Sequence, residues 1–187
     1  MLRDYVAALW DDAMEWAEGR SPWGRLPLYL YLAYAGIRHA VDPMYRSWFA
    51  GLTLVLHELG HLFFRFFGRT LMLLGGSVFQ LLIPALVALY FVFRQRDWFG
   101  AVVGASWLAF ATWELATYVG DANKGQLALV GMSDDPIHDW DALLTGWHVL
   151  NHADTFAAAL RVLAAGTCLA ALAFGGVLLF RMLRAGR

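Results

Sequence analysis

Five consecutive residues, His57-Glu58-Leu59-Gly60-His61, combine types that do chemistry at a spacing that lets them act together. Histidines at i and i+4 present both imidazoles on one face of a helix. Two neutral imidazoles so placed suit a tetrahedral Zn²⁺, which in catalytic sites keeps a position for water. Glu58 points roughly 100° away around the helix, toward such a water rather than toward the ion. It is the expected base: a water acidified by the metal gives it a proton and attacks a polarised carbonyl. The setting strengthens this reading, because the motif lies within the apolar segment Ser47–Phe67. Ionisable groups are expensive in hydrocarbon and mark functional sites there.

Two imidazoles need a third protein donor. Asp121, at the end of an apolar segment and on a helical face with Glu114 and Tyr118, is one leading choice, and Asp154, just before the last apolar segment, is the other. Their competing roles are an interfacial carboxylate for Asp121 and a helix N-cap for Asp154. His138 and Asp139 rank behind them, since an acidic residue in a first helical turn is already explained by the macrodipole. A second metal or proton-handling site is the less favoured reading of His148 and His152, another i, i+4 pair, with Asp141 or Asp154 nearby. Its simpler alternative is the solvated face of a surface helix. Glu114, alone in an apolar segment, either packs as a neutral hydrogen-bonded group or lines the site.

The HELGH motif inside a hydrophobic helix of a compact multi-pass chain resembles the site-2 protease-like intramembrane zinc metalloproteases. The resemblance covers residues 47–93 and is specific over the five-residue motif; Gly75, Gly76 and Gln80 loosely match the glycine-containing stretch that follows it in the family. It implies that His57 and His61 bind zinc, that Glu58 is the catalytic base, and that the substrate is a membrane-spanning protein segment. The family's second motif, Asn-x-x-Pro followed by Asp-Gly, supplies its aspartate ligand, and the chain contains no Asp-Gly pair. The extended soluble zincin pattern is also missing, with Phe64 and Phe67 where glycine and histidine would stand.

The elements that must position these groups follow from composition. Of 187 residues, 60% are hydrophobic and 16% charged, against about 45–50% and about 25% in soluble domains. A net charge of −1 gives no basic surface for nucleic acid, and the single Cys168 has no internal disulfide partner. The pattern predicts an all-α, multi-pass membrane protein forming a single domain. Residues 1–25 hold an N-terminal amphipathic helix, 26–120 the membrane segments with HELGH, 121–154 a polar connection, and 155–187 the last membrane segment. Residues 1–20 lack the basic and apolar regions of a signal peptide, so targeting is expected from the internal segments.

Five apolar stretches, Leu26–Val41, Ser47–Phe67, Leu71–Phe93, Trp98–Gly120 and Phe156–Phe180, predict four or five membrane segments. The first is short and carries Arg38 and His39. In the polar connection, Asp135-Pro136 reads as a helix start. Ile137, Trp140, Leu143, Leu144, Trp147 and Leu150 form one stripe, predicting an interfacial helix.

If all five segments cross, Arg46, Arg94, Arg96, Arg181, Arg184 and Arg187 share the cytoplasmic side, opposite Arg20, Arg25, Arg65, Arg69 and Lys124. The expected location is a membrane, the cytoplasmic membrane of a bacterium, with lipid and a transmembrane protein substrate as partners. Hydrolysis of a peptide bond in or near the bilayer is the leading expectation. The alternatives are a metal-binding membrane protein without hydrolytic activity, and a transporter-like polar pathway through Glu58, Glu114 and the histidines.

Overall fold

The structure, a computed structural model, describes residues 1–129 and 137–185, so the predicted helix start at Asp135-Pro136 lies outside the described residues. It is all-helical: α1 (Leu2–Ala17), α2 (Leu26–Val41), α3 (Ala50–Phe64), α4 (Arg69–Tyr90), α5 (Trp98–Asp121), α6 (Asp139–Gly146) and α7 (Ala153–Ala185). A 3₁₀ turn at Arg65–Phe67 closes α3, a π turn at Phe91–Gln95 extends α4, and a 3₁₀ turn at Leu150–His152 leads into α7.

Among the described residues, three helices are long and apolar enough to span a membrane: Arg69–Gln95, Trp98–Asp121 and Leu150–Ala185. The other two expected segments fall short. With 16 residues in α2 and 15 in α3, they rise about 24 Å and about 22 Å at ~1.5 Å per residue, less than the ~30 Å hydrocarbon core. The shortening has a local cause. After α2 the chain turns at Asp42, whose Oδ1 accepts the Met44 N–H at 3.0 Å. Pro43 O accepts from Thr117 Oγ1 at 3.0 Å, near the far end of α5. The Trp48 N–H then donates to Tyr31 Oη at 2.7 Å, back near the start of α2. Residues 42–48 thus undo most of the climb of α2, and α3 starts again beside Trp107, whose Nε1 donates to Thr53 Oγ1 at 2.9 Å. Irregular backbone at membrane depth is tolerated where it lines a cavity, and residues 43–46 line one.

α5 is the central element, buried along most of its length and packed against α2, α3, α4 and α7. Its Phe110 and Val102 join Leu32 and Ala35 of α2 and Cys168, Leu178 and Met182 of α7 in one apolar core. α1 buries Ala13 and Ala17 against this body. Its acidic face is tied down: Asp12 accepts from Trp98 Nε1 at 2.8 Å, and Glu18 pairs with Arg181 at 2.9 Å.

These contacts change the expected grouping of arginines. Arg20 and Arg25, which follow α1 and both lie over Trp16, belong at the end of the bundle with Arg94, Arg96 and Arg181. Arg46 lines the cavity instead.

The polar connection also departs from expectation. α6 has only eight residues, because His148 takes a left-handed φ of 59° and interrupts the stripe. Leu143 and Leu144 are buried against protein, while Ile137 and Trp147 stay exposed. The stripe therefore does not lie on one continuous surface helix.

Candidate metal centre

α3 and α4 approach closely enough for backbone contact. A Cβ at Gly60 would overlap the carbonyl of Gly75, and one at Gly76 would stand 2.6 Å from both His57 Nε2 and His61 Nε2. Glycine therefore does two jobs: it lets the helices meet and keeps open the space in front of the imidazoles.

The tautomer of each ring is set by its other nitrogen. Gln80 Nε2 donates to Ala111 O at 2.9 Å, which turns its Oε1 toward His57 Nδ1 at 3.0 Å. His61 Nδ1 lies 2.8 Å from the carbonyl of Met72, which can only accept. Both Nδ1 atoms therefore carry hydrogen, and in the neutral rings both Nε2 lone pairs point into the open space. Backbone and amide partners of this kind orient metal-binding histidines generally.

The third group is Asp139. Its Oδ2 lies 3.0 Å from His57 Nε2 and 3.1 Å from His61 Nε2. As the first residue of α6 it benefits from the helix dipole, and its backbone N–H donates to Tyr118 Oη at 2.9 Å. Tyr118 Oη returns a hydrogen bond to Oδ2 at 3.2 Å, and Trp140 Nε1 donates to Ser77 Oγ at 3.0 Å. Burial alone would raise the Asp139 carboxyl. When His57 and His61 are protonated, their hydrogen bonds and positive charge outweigh it and hold the group below the usual carboxylate range.

His57, His61 and Asp139 are the one set of at least three histidine, cysteine or carboxylate side chains, among the described residues, that converges closely enough to hold a metal ion. The donor set fits such an ion. With both rings neutral, three lone pairs confront one another, an arrangement that needs a positive charge between them. A second proton on each ring would supply charge only by placing two buried imidazolium ions against one carboxylate, a costly alternative. The separations are close to the ~3.3 Å edge of a tetrahedron with ligand bonds of about 2.0–2.1 Å.

The other predicted donors are occupied elsewhere. Asp121 is buried, but its two oxygens accept the backbone N–H groups of Gln126 and Leu127 at 2.9 and 3.0 Å, which turns the chain after α5. Asp154 is exposed and pairs with Lys124 at 2.6 Å. His138 caps α6 by accepting the Asp141 N–H at 3.3 Å, and its ring stacks on Tyr118 at 4.3 Å; burial lowers its pKa. The geometry thus reverses the expected order: Asp139 reaches the imidazoles, and Asp121 and Asp154 do not. His148 and His152 are exposed on separate turns, since the chain leaves the helix between them.

Glu58 and Glu114 both line a cavity of about 440 Å³ that opens in front of the three donors. Glu58 is half-buried on α3. Glu114 lies one helical turn from Tyr118, and its Oε1 is enclosed with no hydrogen-bond partner among the described residues. The remaining wall is largely apolar, with Met44, Leu54, Leu127 and Ile137.

Gln80, Tyr118 and Ser77 were not singled out as supports by the motif. The available signal for Gln80 is its polarity within an uncharged apolar segment, and for Tyr118 its place on a helical face with Glu114 and Asp121; Ser77 gives none. Neither a family model, a curated protein nor a solved structure matches the chain.

Proposed function

We propose that the chain is a zinc-dependent membrane hydrolase that cleaves a peptide bond in or near the bilayer, with Glu58 as the base. The observation that carries this reading is the convergence of His57 Nε2, His61 Nε2 and Asp139 Oδ2 at the wall of a cavity that Glu58 also lines. Two imidazoles and a carboxylate suit Zn²⁺ and leave one coordination position for water or substrate.

Bound there, zinc polarises a carbonyl and lowers the pKa of water. The chain's own residues do the rest. Gln80 and the Met72 carbonyl keep both imidazoles in the ligating tautomer. Tyr118 holds the Asp139 carboxylate in place. Glu58 accepts the proton of the attacking water and returns it to the leaving amine. The apolar walls suit a hydrophobic segment, so a membrane-spanning protein segment is the proposed substrate.

The site lies close to one surface, because Tyr118 is less than a turn from the end of α5. The opposite end of the bundle gathers Arg20, Arg25, Arg94, Arg96, Arg181 and Arg184. The positive-inside rule puts that end in the cytoplasm of a bacterial cell and the metal centre toward the outer side of its membrane.

The experiment is Glu58→Gln, with zinc content and cleavage of a membrane-segment peptide measured on the same preparation. Zinc stays at the wild-type level and cleavage drops by about 10²–10⁴-fold, the usual contribution of a positioned base. Wild-type cleavage by this variant removes Glu58 as the base. Absence of zinc from the wild-type protein removes the reading altogether.

A further inference from the structure

A second cavity, of about 260 Å³, lies between α2, α5 and α7 and is lined by His39, Pro43, Trp113, Thr117, Arg161 and Val162 among others. Its shape follows from one tight contact. At Gly36 a Cβ would stand 2.7 Å from Cys168 Sγ, so α2 and α7 touch there and diverge toward the end of the bundle that holds the metal centre. Arg161 sits at the mouth of this wedge.

The charges at the mouth do not cancel. Arg161 is eight residues into α7, about 12 Å from its start. Its Nη2 reaches back to within 3.8 Å of the point a Gly120 Cβ would occupy. Asp154 is near the same point, but its carboxylate is taken by Lys124, which also donates to Gly120 O at 2.7 Å. Arg161 has no ion pair among the described residues. A guanidinium at this depth is costly unless it finds an anion at the membrane–water boundary.

The inner wall offers an unsatisfied group of its own. His39 is only 4% exposed, is stacked between Phe110 and Trp113, and its enclosed Nε2 has no hydrogen-bond partner among the described residues. Below Arg161 the outer face of α7 is apolar and open, with Val162 72% and Leu169 69% exposed.

We propose that this wedge is a phospholipid site. The lipid's phosphodiester pairs with Arg161, and one acyl chain runs over Val162, Ala165 and Leu169 toward the Gly36–Cys168 contact. A cation at the headgroup level above an apolar channel matches the two parts of a phospholipid. Pro43 and Thr117 line both cavities, so the lipid seats against the wall of the metal-centre cavity. The proposal does not depend on hydrolysis.

Native mass spectrometry of the full chain, released from nanodiscs of phosphatidylglycerol, phosphatidylcholine or either mixed with diacylglycerol, tests it. Wild-type protein retains one phosphate-bearing lipid and no diacylglycerol. Arg161→Gln lowers retention roughly tenfold, as expected for loss of a charge-assisted pair. Arg161→Lys keeps most of it, and Arg184→Gln, at the opposite end of the bundle, leaves it unchanged. Ala165→Trp fills the wedge while keeping Arg161, and it too expels the lipid. Wild-type retention by Arg161→Gln or Ala165→Trp overturns the proposal. So does equal retention of diacylglycerol, or equal loss in Arg184→Gln. Displacement by millimolar inorganic phosphate overturns it in favour of a free-anion site.

Discussion

The hydroxyl of Tyr118 holds Asp139 twice, accepting its backbone N–H at 2.9 Å and donating to its carboxylate at 3.2 Å. One side chain of the central helix therefore sets both the position and the orientation of a donor that belongs to a different part of the chain. Tyr118→Phe removes both bonds and leaves the ring stack with His138 in place. Zinc affinity, read by chelator competition, weakens by about 10–100-fold, the usual effect of losing such a support. Unchanged affinity means that Asp139 is held by α6 packing alone.

Three aspartates separate the competing ligand assignments. Asp139→Asn removes zinc from the purified protein, whereas Asp121→Asn and Asp154→Asn retain about one zinc per chain. Elemental analysis reads all three. Loss of zinc in Asp154→Asn, with retention in Asp139→Asn, contradicts the assignment.

Gly76→Ala is a steric test. Alanine is favoured over glycine in a helix by about 1 kcal/mol, so the helix itself is not weakened. Its methyl group would nonetheless stand 2.6 Å from both Nε2 atoms. The variant keeps its helical circular dichroism and loses zinc. Retention of zinc with unchanged affinity means the ion does not sit against α4.

Acid should release the metal, and the sign follows from the donors. Protons and zinc compete for the same Nε2 lone pairs, so binding weakens as pH falls. Asp139 is not the first group to titrate, because its pKa is held below the usual carboxylate range. A depressed pKa contributes stability above the ordinary value and loses it only as pH falls further. Zinc retention against pH should show about two protons taken up per ion released. A curve with no proton uptake excludes the imidazoles as ligands.

The helical class, the ends of α2 at Leu26 and Val41, and the paired histidines were legible because they rest on local periodicity and i, i+4 spacing. The third donor was not, because it depends on where a long polar connection returns. Asp121 and Asp154 both sit at helix ends near the expected level. Nothing local shows that backbone N–H groups take one and Lys124 takes the other. The count of four or five spans is not reproduced among the described residues, where three helices are long and apolar enough, for a similar reason. The return through residues 42–48 is fixed by Tyr31 and Thr117, 17 and 74 residues away from the groups they bind. Hydropathy alone counts two apolar stretches there and cannot register that α2 and α3 rise in the same direction.

Two of the three donors share one helix fused by glycine contact to the next, while the third comes in on α6, an eight-residue piece fastened by side chains. For a metal ion held by all three, loading the ion and seating α6 would be a single equilibrium viewed from two ends. Whatever pulls α6 from its place must also weaken the grip on the cation, and the cation clamps α6 by the same free energy.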